Sequence, residues 1–221
     1  MDYTPIWVSL KTTLTATLFT FVVGVMAARW RYSCRKPYVG IVDAILLLPL
    51  ALPPTVIGLA LLLLFGRNSP VGQFLSEFGM TVIFSWEATV ITAFVASFPL
   101  MYQSAHAAFQ SIDPELLDVG RLFGMNEWQL LWQVMLALAW PGILAGVILS
   151  FVRALGEFGA TLMLAGNLPG RTQTIPLAIF FYIDGGESGQ AIALSVITLL
   201  ISVVTLLIIR FPQTNPIATS S

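Results

Sequence analysis

Long apolar runs, separated by short polar stretches, dominate the chain. Five runs approach or exceed the about 20 residues that an α-helix needs to cross a bilayer. They cover residues 6–28, 41–65, 81–105, 138–164 and 192–209. Their apolar residues follow one another without the in-and-out alternation of a barrel strand. The pattern therefore predicts an all-α integral membrane protein with about five transmembrane helices.

The composition agrees with a membrane protein and argues against other classes. Of the 221 residues, 57% are hydrophobic and only 10% are charged, whereas an average soluble domain has about 25% charged residues. Such a chain has too few polar residues to cover a soluble surface and too little charge to bind nucleic acid. Its one cysteine, Cys34, argues against a disulfide scaffold and a cysteine-based zinc cluster, and we expect no metal site.

The basic residues predict the orientation in the membrane. The stretch between the first two runs contains four bases and no acid, namely Arg29, Arg31, Arg35 and Lys36. Loops rich in Lys and Arg stay in the cytoplasm, so we expect the N-terminus outside and, after five crossings, the C-terminus in the cytoplasm. Residues 66–80 and 165–191 are then external, and residues 106–137 are cytoplasmic.

The chain contains no obvious linker, so we expect one transmembrane domain over residues 1–211 and a polar tail over residues 212–221. The first run is not typical of a cleaved signal peptide, because Asp2 precedes it and its first base is Lys11. Threonines are frequent in this run, at Thr12, Thr13, Thr15, Thr17 and Thr20. A helix of this kind is expected to pack on protein more than on lipid.

The cytoplasmic segment, residues 107–137, carries the signals of two helices and a corner. Ser111 or Asp113 can cap the first helix, with Pro114 in its first turn. Gly124 can end that helix in a left-handed turn, and Asn126 can cap a short second helix. The segment therefore predicts a helix, a tight corner and a second helix.

The second helix is predicted to lie at the membrane surface, with Trp128, Leu131 and Trp132 on one side. One interpretation is an element that transmits motion to a cytosolic partner. The other is a plain interfacial helix that tryptophan anchors at the membrane. The residue pattern by itself leaves both interpretations open.

The same segment contains a degenerate form of a known motif, which reads E-A-A, three residues, G, nine residues, I-x-L-P. With Gly124 at the glycine, Asp118-Val119-Gly120 stand at E-A-A, and residues 134–137 (Val-Met-Leu-Ala) stand at I-x-L-P. Residues 98–101 (Phe-Pro-Leu-Met) and 141–143 (Pro-Gly-Ile) frame the motif. In these residues the chain resembles the permease subunit of binding-protein-dependent ABC importers.

The resemblance implies the fold of a type I ABC importer permease, whose cytoplasmic segment docks into an ATP-hydrolysing subunit. It also implies a homodimer, two cytosolic ATP-binding subunits, an external substrate-binding protein and a multi-pass position in a prokaryotic inner membrane. The residues to which it assigns ATPase coupling are Asp118, Gly120, Gly124, Met125, Asn126, Glu127 and Trp128.

ATP and Mg²⁺ are expected on the partner subunit, because this chain lacks the phosphate-binding sequence G-x-x-x-x-G-K-[ST]. Its two lysines, Lys11 and Lys36, stand in other contexts. One histidine, His106, and one cysteine supply no cluster of nucleophile, base and metal ligands. We therefore expect a transport subunit that is not an enzyme and binds no cofactor of its own.

Two further stretches narrow the substrate class. The first consists of residues 48–59 (Leu-Pro-Leu-Ala-Leu-Pro-Pro-Thr-Val-Ile-Gly-Leu) with residues 64–72, and the second of residues 154–179, which begin Ala-Leu-Gly-Glu-Phe-Gly-Ala-Thr. Both resemble the permease of molybdate importers. They resemble the sulfate and tungstate permeases less closely, and all three substrates are tetrahedral dianions. The resemblance implies ATP-driven molybdate import by alternating access, with tungstate or sulfate as alternatives. A stand-alone secondary transporter is a further alternative, which the scarcity of intramembrane charge disfavours.

Candidates for the translocation pathway or gate lie in the same two stretches. The prolines and Gly58 interrupt the second run near its start, either as a bend that lines the pathway or as a kink with a packed glycine. Arg153 and Glu157, four residues apart, would share one helical face as an ion pair, either structural or functional. The full candidate set is Pro49, Pro53, Pro54, Thr55, Gly58, Arg153, Gly156, Glu157, Gly159 and Thr161.

Overall fold

The computed structural model describes residues 3–34 and 38–210, the last three by their backbone alone. Arg35, Lys36 and the predicted polar tail lie outside the described residues. The described part is helical, which confirms the predicted all-α class. Its α-helices are α1 (Thr4–Ser33), α2 (Val39–Ala51), α3 (Pro54–Phe65), α4 (Pro70–Glu77), α5 (Trp86–Gln110), α6 (Pro114–Leu122), α7 (Glu127–Gln129), α8 (Leu136–Leu155), α9 (Gly159–Ala165), α10 (Ile175–Asp184) and α11 (Ser188–Arg210), and a π-helical segment covers Leu130–Met135.

Four of the described helices are long and apolar enough to cross a membrane. They are α1, α5, α11 and the continuous helix Glu127–Leu155, in which α7, the π-helical segment and α8 follow one another without a break. The bent pair α2 and α3 makes a fifth span when the two helices are counted as one. The predicted number of about five spans is therefore confirmed, whereas the orientation across the membrane stays a prediction.

The second apolar run departs from the predicted single helix with an interruption near its start. It breaks in its middle, at Leu52 and Pro53, and the axes of α2 and α3 differ by 113°. Leu52 and Pro53 have extended ψ angles of 143° and 140°. The reason is that a proline lacks an N–H donor and disfavours the helical conformation in the residue before it.

The fourth apolar run also divides, although the sequence predicts one helix. The helix α8 ends at Leu155, and α9 begins at Gly159. Glu157 therefore lies in the break rather than on a helical face shared with Arg153. Gly156 and Gly159 stand on the two sides of the break. Glycine disfavours a continuous helix because it loses more backbone freedom on folding than other residues do.

The helices α1, α5 and α8 form the central bundle. The largest buried cluster includes Val25, Met101, Phe109, Met135 and Ile143, which come from these three helices and from the π-helical segment. Small residues let the helices approach closely, as they do in other membrane proteins. A Cβ atom on Gly146 of α8, for example, would lie 2.7 Å from the Cβ atom of Ser104 on α5.

Hydroxyl groups connect α1 to α5 inside this bundle. Thr12 and Thr89 lie 2.9 Å apart, and Thr20 and Ser97 lie 3.2 Å apart. The buried threonines of α1 are Thr12, Thr13, Thr17 and Thr20. The threonine side of α1 therefore packs on protein, whereas 39% of the apolar window of α1 is buried in the protomer, so the predicted excess of protein contact over lipid contact stays a prediction.

The close approach of α5 and α8 makes the replacement of Gly146 costly. We expect Gly146→Leu to lower the stability of the purified protein by about 1–3 kcal/mol, because its side chain must displace Ser104 or the helix that carries it. Thermal unfolding in detergent measures the loss. Gly40→Ala is the matched control, since a Cβ atom there would have no neighbour within 4 Å. Equal effects of the two changes would contradict the packing argument.

Candidate functional site

The corner in the cytoplasmic segment forms as the sequence predicts. The carboxylate of Asp113 accepts a hydrogen bond of 3.0 Å from the Glu115 amide and caps α6. Gly124 has a φ of +80°, and the amide of Met125 donates to the Gly120 carbonyl at 3.2 Å. This is the left-handed turn that glycine favours at the end of a helix.

The second helix of the segment begins with a capping box. Asn126 accepts a bond of 2.8 Å from the Gln129 amide, and the Gln129 side chain accepts a bond of 2.9 Å from the Asn126 amide. The prediction that Asn126 caps this helix is therefore confirmed. The two reciprocal bonds hold the corner against the start of the helix.

The expected separate helix at the membrane surface is wrong, because the helix runs on into the transmembrane helix α8. Leu131 also does not share a side with the two tryptophans. It is buried, at 3% exposure, whereas Trp128 and Trp132 are more than half exposed and stack edge to face at 5.7 Å. The sequence does not reveal the wider π turn, which leaves Leu130, Leu131 and Met135 in the core.

Gly120 lets α6 lie directly on this π-helical segment. A Cβ atom on Gly120 would lie 2.5 Å from the Leu130 Cδ2 atom. The inward side of α6 buries Leu117 as well. The position that resembles the second alanine of E-A-A is therefore a contact between two helices, where a larger residue would displace the Leu130 side chain.

The outward side of α6 carries an unpartnered apolar surface. Leu122 and Phe123 are 86% and 84% exposed, and Leu116 and Val119 are about half exposed. Exposed apolar groups of this size at the end of a polar segment mark an interaction surface. The sequence interpretation missed Leu122 and Phe123, although an apolar pair directly before a glycine corner is a usable signal.

Ion pairs fix the corner to α1. Arg121 bonds to Asp118 at 2.7 Å and to Glu127 at 3.0 Å, and Glu127 also pairs with Arg29 near the end of α1. Hydrogen bonds to the Glu127 and Asp118 carboxylates raise the pKa of Arg121 above its ordinary value. The structure therefore brings two predicted coupling residues, Asp118 and Glu127, together and adds the arginines that join them.

The two helix breaks meet in the membrane. A Cβ atom on Gly58 of α3 would lie 2.9 Å from the Ala160 Cα atom, and one on Gly159 would lie 3.0 Å from the Pro54 Cβ atom. Gly58 is therefore a packed glycine, as the interpretation of a simple kink expected. The prolines form a bend, as both interpretations expected, and whether this bend lines the pathway stays a prediction. Pro53, Pro54 and Thr55 are exposed on the other side of the break.

Glu157 closes the break between α8 and α9. Its carboxylate accepts a bond of 2.7 Å from the Arg153 Nη1 atom and one of 3.0 Å from the Ala160 amide. Glu157 is 3% exposed, whereas the Arg153 side chain is 30% exposed. The predicted ion pair forms, and the Glu157 carboxylate also satisfies the Ala160 amide in the first turn of α9.

The remaining candidates occupy different environments. Thr161 is buried and hydrogen-bonds Thr92 on α5 at 2.8 Å, so it joins helices rather than lining a surface. Gly156 is exposed at the end of α8, and Pro49 is half-buried within α2. The structure therefore groups Pro53, Pro54, Thr55, Gly58 and Gly159 at one place and leaves Pro49 and Thr161 apart from them.

Residues 20–212 match the family described as "Binding-protein-dependent transport system inner membrane component". The chain belongs to this family. It is 40% identical over 210 residues to the molybdenum transport system permease protein ModB of Escherichia coli K12, across 91% of this chain and 92% of the relative. It is 35% identical over 212 residues to ModB of Haemophilus influenzae, across 94% and 92%.

Solved structures show the same fold. The inward-facing methionine ABC transporter MetNI matches with a TM-score of 0.70 at 20% identity, over 93% of each chain. A bacterial alginate ABC transporter matches with a TM-score of 0.73 at 18% identity, over 93% of this chain and 76% of the other. The fold is that of a type I ABC importer permease, as the sequence resemblance implies.

The pair Arg153 and Glu157 predicts a non-additive effect on stability. We expect Arg153→Met to destabilise the protein by about 3 kcal/mol, because it leaves a buried carboxylate without its cation. Adding Glu157→Gln removes that charge, so the double variant should be more stable than Arg153→Met alone. Unfolding of the purified variants in detergent measures the cycle, and additive losses would count against the pair.

Proposed function

We propose that the chain is the permease subunit of an ATP-driven molybdate importer. It works as a homodimer with two cytosolic ATP-hydrolysing subunits and an external binding protein. The observation that carries this proposal is the exposed apolar surface of α6, which a rigid corner holds at the end of a transmembrane helix. Family membership and the relatives named for molybdenum transport support the same function.

The ATPase docks on the outward side of α6. Apolar and aromatic groups that a partner covers contribute most of the energy in protein interfaces, and Leu122 and Phe123 are the most exposed of them here. The corner is held by Gly124, by the capping box and by the ion pairs of Arg121. A movement of the docked subunit therefore reaches α8 directly, because Glu127–Leu155 is one continuous helix.

The second copy packs against the exposed side of α2 and α3. Five spans are too few to enclose a hydrated route for an oxyanion, whereas two copies supply ten. The bend at Pro53 and Pro54 exposes backbone that lipid cannot satisfy, so it faces protein or a water-filled route. Alternating access then arises from a rocking movement of the two copies, which ATP and Mg²⁺ on the partner subunits drive.

The charge inside the membrane fits passage rather than tight binding of a dianion. Arg153 is neutralised by Glu157 at 2.7 Å. An unpaired cation would hold molybdate strongly, and an importer that receives its substrate from a binding protein needs release more than affinity. Tungstate and sulfate share the charge and shape of molybdate and are the alternative substrates.

The α6 surface predicts a loss of the ATPase on polar substitution. We expect Leu122→Asp together with Phe123→Asp to weaken association by about 2–4 kcal/mol, the range of interface hot spots. Copurification of the ATP-hydrolysing subunit with the permease measures this loss. Phe74→Asp is the matched control, because Phe74 is 59% exposed on α4, away from the cytoplasmic segment. Undiminished copurification of the double variant would contradict the docking surface.

The substrate assignment predicts ATP-dependent molybdate uptake. Proteoliposomes are prepared with the permease in the membrane, the ATPase on the inner side and the binding protein outside. They should accumulate labelled molybdate only when ATP is enclosed inside. Unlabelled tungstate and sulfate are added in separate experiments, and the extent to which each lowers the uptake of labelled molybdate ranks them as competitors. Uptake of sulfate with no uptake of molybdate would overturn the substrate, and uptake without ATP would overturn the importer class.

A further inference from the structure

The helix α2 buries little of its apolar surface in its own protomer. Val39 is its one buried residue, whereas Ile41, Ile45 and Leu48 are 67%, 62% and 50% exposed. Partial burial of Leu46 and Leu47 against the main cluster supplies the apolar contact. Asp43 is the single residue with a polar side chain in the sequence of α2.

Asp43 connects α2 to two helices of the central bundle. One carboxylate oxygen accepts a bond of 2.7 Å from the Arg31 Nε atom on α1, and the other accepts a bond from the Tyr102 hydroxyl on α5. Tyr102 is 2% exposed and stacks on His106 at 6.0 Å, so its position is fixed. The Asp43 carboxylate therefore joins α2 to Arg31 and to the buried Tyr102. We call these three side chains the α2 latch.

The other half of the bent span is anchored differently. On α3, Ile57, Gly58 and Leu61 are buried, and Gly58 lies against Ala160 of α9. The joint between the two halves is the extended backbone at Leu52 and Pro53. If the latch opens, α2 can therefore swing about this joint while α3 stays on α9.

The end of α1 carries contacts to both the latch and the cytoplasmic corner. Arg29 pairs with Glu127, which begins the helix after the corner, and Arg31 pairs with Asp43. Residues two apart on a helix point to opposite sides. The end of α1 therefore contacts both the corner next to the α6 surface and α2, the helix that leads into the bend.

We propose that the end of α1 is a relay from the cytoplasmic corner to α2. Motion of the corner reaches Arg29 through Glu127, and Arg31 passes it to Asp43, which holds or releases α2. This positioning role of Asp43 and Glu127 deepens the proposed function, on which it rests for the source of the motion. The attachment of α2 by the latch is independent of that function and can be measured in the isolated chain.

The first experiment measures the latch in the chain alone. Spin labels on cysteines at Ile41 of α2 and Leu138 of α8, both exposed, report their distance in a Cys34→Ser background. Excess unlabelled chain in lipid nanodiscs ensures that each pair lies within one protomer. We expect a narrow distribution in the parent and a broader, displaced one in Asp43→Leu.

Two further variants separate a released latch from a misfolded chain. Glu115→Gln, which removes an exposed carboxylate outside the network, should keep the parent distribution. The exchange Arg31→Asp with Asp43→Arg should restore a narrow distribution, because it rebuilds the ion pair in reverse. An unchanged distribution in Asp43→Leu would overturn the latch, whatever the chain transports.

The second experiment measures the relay in the complete importer. We expect Asp43→Leu and Glu127→Gln each to lower molybdate uptake per ATP hydrolysed by roughly 2- to 30-fold, while ATP hydrolysis continues. The double variant should be no worse than the more affected single variant, because both changes interrupt one relay. Losses that multiply would overturn the relay and leave two unconnected contacts. A wild-type ratio in either single variant would also overturn it.

Discussion

Backbone groups without a partner cannot face lipid, and this constraint explains how the membrane part of the protein is arranged. Two of its spans contain breaks, at Leu52–Pro53 and between α8 and α9. Each break frees amide or carbonyl groups that a straight helix would pair. The breaks lie against each other through Gly58, Ala160, Gly159 and Pro54, and the Glu157 carboxylate accepts from a free amide of α9. Protein therefore covers one side of each break, while Pro53, Pro54 and Thr55 stay exposed in the single protomer.

The protomer combines a tightly packed bundle with the less buried helix α2. Hydroxyl pairs and small residues hold α1, α5 and α8 close together, and α3 and α9 pack beside them. The helix α2 packs through Val39, Leu46 and Leu47, and Asp43 joins it to Arg31 and Tyr102. A helix of this kind suits a gate, because its movement breaks one polar cluster and leaves the packed core intact.

In the proposed importer, the cytoplasmic corner carries motion from the ATP-hydrolysing subunit into this chain. Its left-handed glycine and capping box define its shape, and exposed ion pairs add to these contacts. The π-helical segment joins it to α8 without a flexible link. Force applied at the apolar surface of α6 therefore moves a transmembrane helix, and through Arg29 it also reaches the end of α1.

Local signals made much of this fold predictable. Apolar runs predict the spans because each span must satisfy its own backbone, and Asp113, Gly124 and Asn126 predict the corner because caps and left-handed turns involve residues near in sequence. The family motif predicts which segment meets the ATPase. Contacts between distant residues were not predictable in this way. The covering of one break by the other, the burial of Leu131 and the exposure of Phe123 depend on how helices pack.

The sequence by itself determined the all-α membrane class, the number of spans and the place of the corner, because each depends on residues close along the chain. Only the tertiary structure decided that Thr161 joins α9 to α5 and that Asp43 attaches α2 to Arg31 and Tyr102. The physical reason is distance along the chain. Tyr102 and Asp43 are 59 positions apart, and only the packing of helices brings their side chains together.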